Sequence, residues 1–246
     1  GTYSATGGNV RLVDHLLFAQ GKQDDDDRIS PTGLAKQGGA IYIFKRRHDA
    51  TGHASWQNVE DAKIFPTDVG PRDKFGYCLS LDGSAVAVGA VGGDLHANND
   101  GAAYILDISA ISIKFSKTEY YVQEGCREVK IFLERDANAL SMPATIGFST
   151  SDLTAEGSDS PRFQECLKLD LRDRRSCGDY ERRSGTVSFK ENIAQVYFTV
   201  QIMDDATAED HMEYVQLQLH LPGGGPIHGE KFRAQIRIDD DDSNSN

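Results

Sequence analysis

At 246 residues and a net charge of -12, the chain is long enough for two ordinary domains, each with its own core. It is too acidic to offer the basic stripe that a phosphate backbone needs, which argues against nucleic acid as a partner. No stretch approaches the ~20 apolar residues of a membrane-spanning helix, and the four cysteines contain no CxxC pair, which argues against a zinc ribbon or a thioredoxin-type site.

Taken from the N-terminus, turn residues are abundant and helical periodicity is scarce. Period-2 alternation predicts strands at 40–44, 85–88, 129–133, 195–200 and 214–219, each bounded by Gly, Asp or Asn turns. The chain therefore reads as all-β. An internal repeat runs through the first half. Leu16 to Gly21, an acidic loop, then Gly39-Ala40-Ile41-Tyr42-Ile43 is one copy. Val86 to Gly92, a loop at 94–100, then Gly101-Ala102-Ala103-Tyr104-Ile105 is the other. Such a period, with one short sheet per copy, suits a propeller blade or a similar array. Because the chain opens at Gly1-Thr2-Tyr3, inside a repeat and without a signal peptide, it is expected to be a processed product or part of something larger.

The second half carries acidic clusters wherever an alternating apolar stretch stops. They are Glu124, Asp179, the run Asp204-Asp205 with Glu209 and Glu213, and the run Asp239-Asp240-Asp241-Asp242. Crowded carboxylates repel one another, so a fold that gathers them calls for a cation, and oxygen-only donors on flexible loops suit calcium. Asp also favours turns by bonding its own backbone, and a terminal acidic run also reads as a tail. In the first half, Asp24, Asp26, Asp94, Asn98 and Asp100 form a weaker candidate calcium set. They lack the alternating spacing that points every second side chain inward. Arg172, Arg174, Arg175, Arg182 and Arg183 are expected to be a solvated loop. Cys166 and Cys177 flank an irregular, charge-rich insertion that a disulfide would staple, which presumes an oxidising compartment. Cys78, in an apolar run, reads as a buried thiol, and the pairing of Cys78 and Cys126 stays open. No HExxH, GxSxG or Walker pattern is present, and Gly223-Gly224-Gly225-Pro226 reads as a hairpin turn. Catalysis is not expected.

On these motifs, residues 5–108 resemble FG-GAP repeats, the blade unit of integrin-α-type propellers. The residues carrying the likeness are Phe75-Gly76, the strand ending Val88-Gly89-Ala90, the Asp/Asn/Gly loop at 92–101, Gly101-Ala102-Ala103-Tyr104, and Trp56-Gln57 between the blades. The first copy is degraded, with Thr6-Gly7-Gly8 near the Phe-Gly position and Ala19-Gln20-Gly21 where Gly-Ala-Pro is usual. A closed propeller of this kind takes about seven blades, so further blades, the following domain or a partner must complete it. Residues 110–242 resemble a Calx-beta domain, an immunoglobulin-like sandwich found in the regulatory regions of sodium–calcium exchangers and in large adhesion proteins. Tyr121-Val122-Gln123-Glu124-Gly125, Phe148-Ser149-Thr150-Ser151-Asp152, Gly178-Asp179-Tyr180, Gly185-Thr186-Val187-Ser188-Phe189, Ile202-Met203-Asp204-Asp205 and Ile236-Arg237-Ile238-Asp239 carry that likeness in order. Two departures are an insertion at 158–177 and a Glu213 one residue late.

The expected division is therefore 1–108 as FG-GAP blades, 109–242 as the sandwich, and 243–246 as a tail. The exchanger resemblance implies calcium at one end of the sandwich, with Glu124, Asp179, Asp204, Asp205, Glu209, Glu213, Asp239, Asp240 and Asp241 as candidate ligands. The favoured reading is a non-catalytic calcium-binding adhesion or structural module of a larger extracytoplasmic or membrane-associated assembly, extracellular or in an extracytoplasmic lumen, with any membrane association made through partners. Its expected partners are other subunits or further blades of a parent protein. An intracellular calcium sensor regulating a transporter and a calcium-free structural subunit stand beside it.

Overall fold

The computed structural model describes residues 10–13, 16–21, 38–48, 51–56, 60–66, 68, 70, 72–82, 85–93, 100–141, 143–208, 212–222, 227 and 229–242. The chain divides into two units, Gly1–Ile111 with Leu221–Gly229, and Ser112–His220 with Glu230–Asn246. All of the large ordered elements are strands, as the alternating pattern predicts.

In the first unit, β1 (Val10–Val13), β2 (Leu16–Gly21), β3 (Ala40–His48) and β4 (Ala54–Trp56) form an antiparallel meander. β5 (Ala62–Ile64) shares the outer edge of β3 with β4. A second antiparallel sheet holds β6 (Phe75–Asp82), β7 (Ala85–Ala90) and β8 (Ala102–Asp107). Phe18, Ile41, Ile43, Ile64, Val86 and Val88 are buried, and in β7 they alternate with more exposed residues. The sheets meet along β6, which lies against β1, β2 and β3. There the Phe75 amide donates to the Gly38 carbonyl at 2.7 Å. Gly39 (φ +83°) approaches so closely that a Cβ on it would lie 2.2 Å from the Phe75 carbonyl oxygen. A side chain at that left-handed position would also be strained. The Gly-Gly-Ala end of one repeat thus locks onto the Phe-Gly start of the next, and the fully buried Phe75 ring contributes roughly 2–3 kcal/mol of apolar burial. Cys78 departs from the sequence expectation. A register shift between Phe75 and Cys78 turns both Tyr77 and Cys78 outward, so this thiol is exposed, lying over Gly89 where no Cβ stands in its way.

The second unit is a sandwich. Its strands are β9 (Ile113–Phe115), β10 (Glu119–Gln123), β11 (Glu128–Arg135), β12 (Ala144–Asp152) and β13 (Gly157–Ser158), followed by helix α1 (Ser160–Cys166). Then come β14 (Tyr180–Glu181), β15 (Ser184–Phe189), β16 (Gln195–Gln201), β17 (Glu213–His220) and β18 (Arg233–Asp239). One sheet runs β10-β18-β17-β12-β15 and the other β16-β11-β9; β13 and β14 pair separately. Alternate residues of β11, β12, β16, β17 and β18 fill the space between the sheets, among them Ile131, Leu133, Ile146, Val200, Val215, Leu217 and Ile236. The Phe148 and Phe198 rings stack across it with centroids 3.8 Å apart. The insertion expected to be irregular opens instead with α1, whose Phe163 is fully buried against Cys166, Cys177 and Met203. Cys166 and Cys177 are joined by a disulfide.

Candidate functional site

Strand register decides which acids meet. β10 runs parallel to β18, with Gln123 opposite Asp239, so Glu124 and Asp240 leave the sheet at the same end. β17 runs antiparallel to β18, with Glu213 opposite Ile238, and brings Glu213 to that end too. In the other sheet Glu128 faces Gln201, so the chain at 202–205 leaves β16 where β11 begins. Tyr180 bridges Ile202, which adds Asp179.

Hydrogen bonds knit these ends together. The buried Glu124 accepts the Asp205 amide on Oε1 at 2.8 Å. The Gly125 amide donates to Asp241 Oδ1 at 3.0 Å. Asp179 accepts the Glu156 amide on Oδ2 at 2.5 Å, and its carbonyl accepts the Met203 amide at 2.8 Å. Asp205 and Asp240 cap their own turns, accepting the Thr207 and Asp242 amides at 2.5 and 2.7 Å. Burial pushes the Asp179 carboxyl above its ordinary range, and the charges of Glu156 and Asp205 push it further, against hydrogen bonds from the Glu156 amide and with Glu213. Asp242 is raised by desolvation and then by Asp240, Asp241, Asp205 and Asp204. Carboxylates from separate segments therefore feel one another at this rim.

Two predicted ligands are engaged by cations. Arg127 donates from Nε and Nη2 to Asp204 Oδ2 at 3.2 and 3.0 Å. Arg237 grips both oxygens of Asp239 at 2.6 and 3.1 Å. The sequence carried a signal for the second pair, because Arg237 and Asp239 are two apart on a strand and share its outward face. Arg127 sits at φ +61°, at the end of the Glu124–Cys126 turn, and its reach to Asp204 spans segments far apart in sequence. Glu156 was missed for the same reason. Among the described residues, no three of His, Cys, Asp and Glu are drawn into a metal-ligating group. Glu209, Asp24, Asp26, Asp94, Asn98, Gln57, Thr6-Gly7-Gly8 and Gly223 to Pro226 lie outside the described residues; Asp100 is exposed beside Gly101.

The arginine patch is not a solvated loop throughout. Arg174 is only 8 % exposed. Arg182 donates to Asp152, and Arg183 donates to the Thr199 carbonyl at 2.9 Å. In the first unit, Asp73 acts within a turn. It is buried, its Oδ2 accepts the Gly70 amide at 2.6 Å, and its carbonyl accepts the Gly92 amide at 3.0 Å. Burial, with Asp68 and then Asp73 nearby, pushes the Tyr104 hydroxyl up to about 12.

The Calx-beta domain model matches residues 107–165 and 174–242, more than half of the chain, and the chain belongs to that family. The match breaks across 166–173, within the disulfide-closed insertion. The FG-GAP repeat model matches residues 58–106. Among solved structures, the apo-form Calx CBD1 domain is 23% identical over 53% of this chain and 96% of its own, with a TM-score of 0.40. The calcium binding domain CBD12 of CALX1.1 is 24% identical over 53% of this chain and 46% of its own, with a TM-score of 0.41. The extracellular domain of a putative one component system from B. thetaiotaomicron is 10% identical over 98% of this chain and 26% of its own, with a TM-score of 0.25. No curated protein matches the chain.

Proposed function

We propose that the chain is a non-catalytic calcium-binding module whose sandwich rim takes up the ion, acting as an adhesion or structural element of a larger extracytoplasmic assembly. The observation that carries this is the meeting of the Glu124, Asp179, Asp204-Asp205 and Asp240-Asp241 segments through hydrogen bonds at one end of the sandwich. The donors are carboxylate oxygens, the set that suits calcium. Glu124, Asp179, Asp205, Glu213, Asp240 and Asp241 would hold it, with Glu209 as a further candidate. Bound there, calcium would supply the positive charge that lets the buried Glu124 and several crowded, partly exposed carboxylates stay ionised together. The Cys166–Cys177 disulfide supports an oxidising compartment. Other subunits or further blades of a parent protein are the proposed partners.

The calcium-free reading has one observation in its favour: Arg127 and Arg237 already hold Asp204 and Asp239. Calorimetric titration with calcium at millimolar concentration separates the two. Saturable heat that disappears in Asp179→Asn with Asp240→Asn supports the rim site; an absence of heat in the wild-type chain leaves the calcium-free subunit.

A further inference from the structure

The family's match breaks across 166–173 of the disulfide-closed insertion, and the insertion reaches the rim at several points. Its C-terminal stem, Cys177-Gly178, leads directly into Asp179. Its buried face, made of Phe163, Cys166 and Cys177, packs on Met203, the residue before Asp204. The link between these two contacts is Arg174. Its guanidinium donates from Nε to the Leu169 carbonyl at 3.1 Å, from Nη2 to the Leu167 carbonyl at 3.1 Å, and from Nη1 to the Asp204 carbonyl at 2.9 Å. One planar fork thus ties two carbonyls of the insertion to one in the rim. The Cys177 amide donates back to the Arg174 carbonyl at 2.7 Å, so the disulfide fixes the arginine's own backbone.

Burying a guanidinium is expensive and is sustained only by well-aligned acceptors. Each of Arg174's described bonds goes to a main-chain carbonyl, and its position beside an acidic cluster could serve either of two ends. As a nearby positive charge it would weaken a bound cation. As a rigid fork it would hold the Asp204-Asp205 backbone still, leaving the Asp205 amide on Glu124 and the Met203 amide on Asp179. The geometry favours the fork, because the guanidinium bonds three carbonyls at once, two in the insertion and one in the rim, and a lysine ammonium lacks that planar fork.

We infer that Arg174 is a positioning residue for the calcium rim: the insertion, closed by Cys166–Cys177, uses it to fix the segment that carries Asp204 and Asp205. This rests on the calcium reading above for its consequence, though not for its geometry. Two readouts on the full chain test it, amide hydrogen exchange in chelator and calorimetric calcium titration. The variants are Arg174→Lys, Arg174→Met and the double variant Cys166→Ser with Cys177→Ser. With positioning, both arginine variants speed exchange at the Met203 and Asp205 amides and leave Ile131 and Val200 in the core protected. The lysine variant, with its charge kept, still weakens calcium by roughly tenfold or more, the loss typical of removing an outer support of a metal site. The double variant moves both readouts the same way by a smaller factor, and it carries the test should an arginine variant also lose core protection. Unchanged exchange at Met203 and Asp205 in all three variants overturns the inference. So does a tighter calcium affinity in Arg174→Met with none lost in Arg174→Lys, since that is the signature of charge alone. A wild-type chain with no calcium heat removes the calcium reading, and the exchange arm then decides the role of Arg174 by itself.

Discussion

Asp152 and Asp179 sit on two sides of one turn and experience opposite surroundings. Adjacent amides of that turn reach both: Gly157 donates to Asp152 Oδ1 at 3.1 Å and Glu156 to Asp179 Oδ2 at 2.5 Å. Asp152 also accepts the Tyr180 hydroxyl at 2.6 Å and the Arg182 guanidinium, and that arginine holds its carboxyl below the ordinary range. Asp179 is more deeply buried and has Glu156 and Asp205 for company, so its carboxyl is pushed up. The same residue type, bonded to neighbouring amides, becomes a satisfied structural anchor on one side and an under-neutralised acid on the other. The difference lies in which side chain arrives from a distant strand, and the Asp179 side is the one to which the proposed calcium site is assigned.

The largest effect expected from this contrast is on stability. A hundredfold excess of calcium over its Kd should raise the unfolding free energy by about 2.7 kcal/mol. Chemical denaturation with calcium and with chelator measures it. The gain should vanish in Asp179→Asn and survive in Asp152→Asn.

Next is Asp152→Ala, which leaves the hydroxyl of the fully buried Tyr180 without its acceptor. It should destabilise by about 1–3 kcal/mol, equally with calcium and with chelator. The partly exposed ion pair with Arg182 adds little to that. A loss that depends on calcium would erase the distinction between the two sides.

The pH dependence should differ in sign and be smaller. Asp179 has a raised folded pKa, so in chelator the folded state binds the proton more readily than the unfolded chain does. Its contribution to stability grows as pH falls through the raised value toward the unfolded value of 3.8. Asp152 has a lowered folded pKa; the stability it contributes is full above 3.8 and is lost as pH falls through the lowered value. Denaturation midpoints against pH should lose the first trend in Asp179→Asn, and calcium should suppress it in the wild type.

The smallest effect is reserved for Gly125→Ala. A Cβ there would stand 2.6 Å from Asp241 Oδ2, so that carboxylate must move. Stability should change by no more than about 0.5 kcal/mol, while calorimetry should show a calcium affinity several-fold weaker.

Much of this architecture was legible in the sequence. The strand at 129–133 is the centre of Glu128–Arg135, and that at 214–219 nearly fills Glu213–His220, because two-residue alternation reports directly on which face is buried. The points where alternating apolar stretches stop located Glu124, Asp179, Asp204 and Asp240. The tertiary partners of those acids were not legible. That Arg127 claims Asp204, Arg182 claims Asp152 and Arg174 turns inward depends on segments tens of residues apart being brought together. Composition alone made the arginines look like a solvated loop. Cys78 was misjudged for a local reason, since a register shift reverses the face that strict alternation assigns.

Side-chain carboxyl carbon shifts followed by NMR during a calcium titration examine the claim at the atoms concerned. The Asp179, Asp205, Asp240 and Asp241 carboxyls should move together and saturate together, while those of Asp152 and Asp239 stay where their arginines hold them. Rim carboxyls that do not respond, or Asp152 and Asp239 moving as far as the rim does, would contradict it.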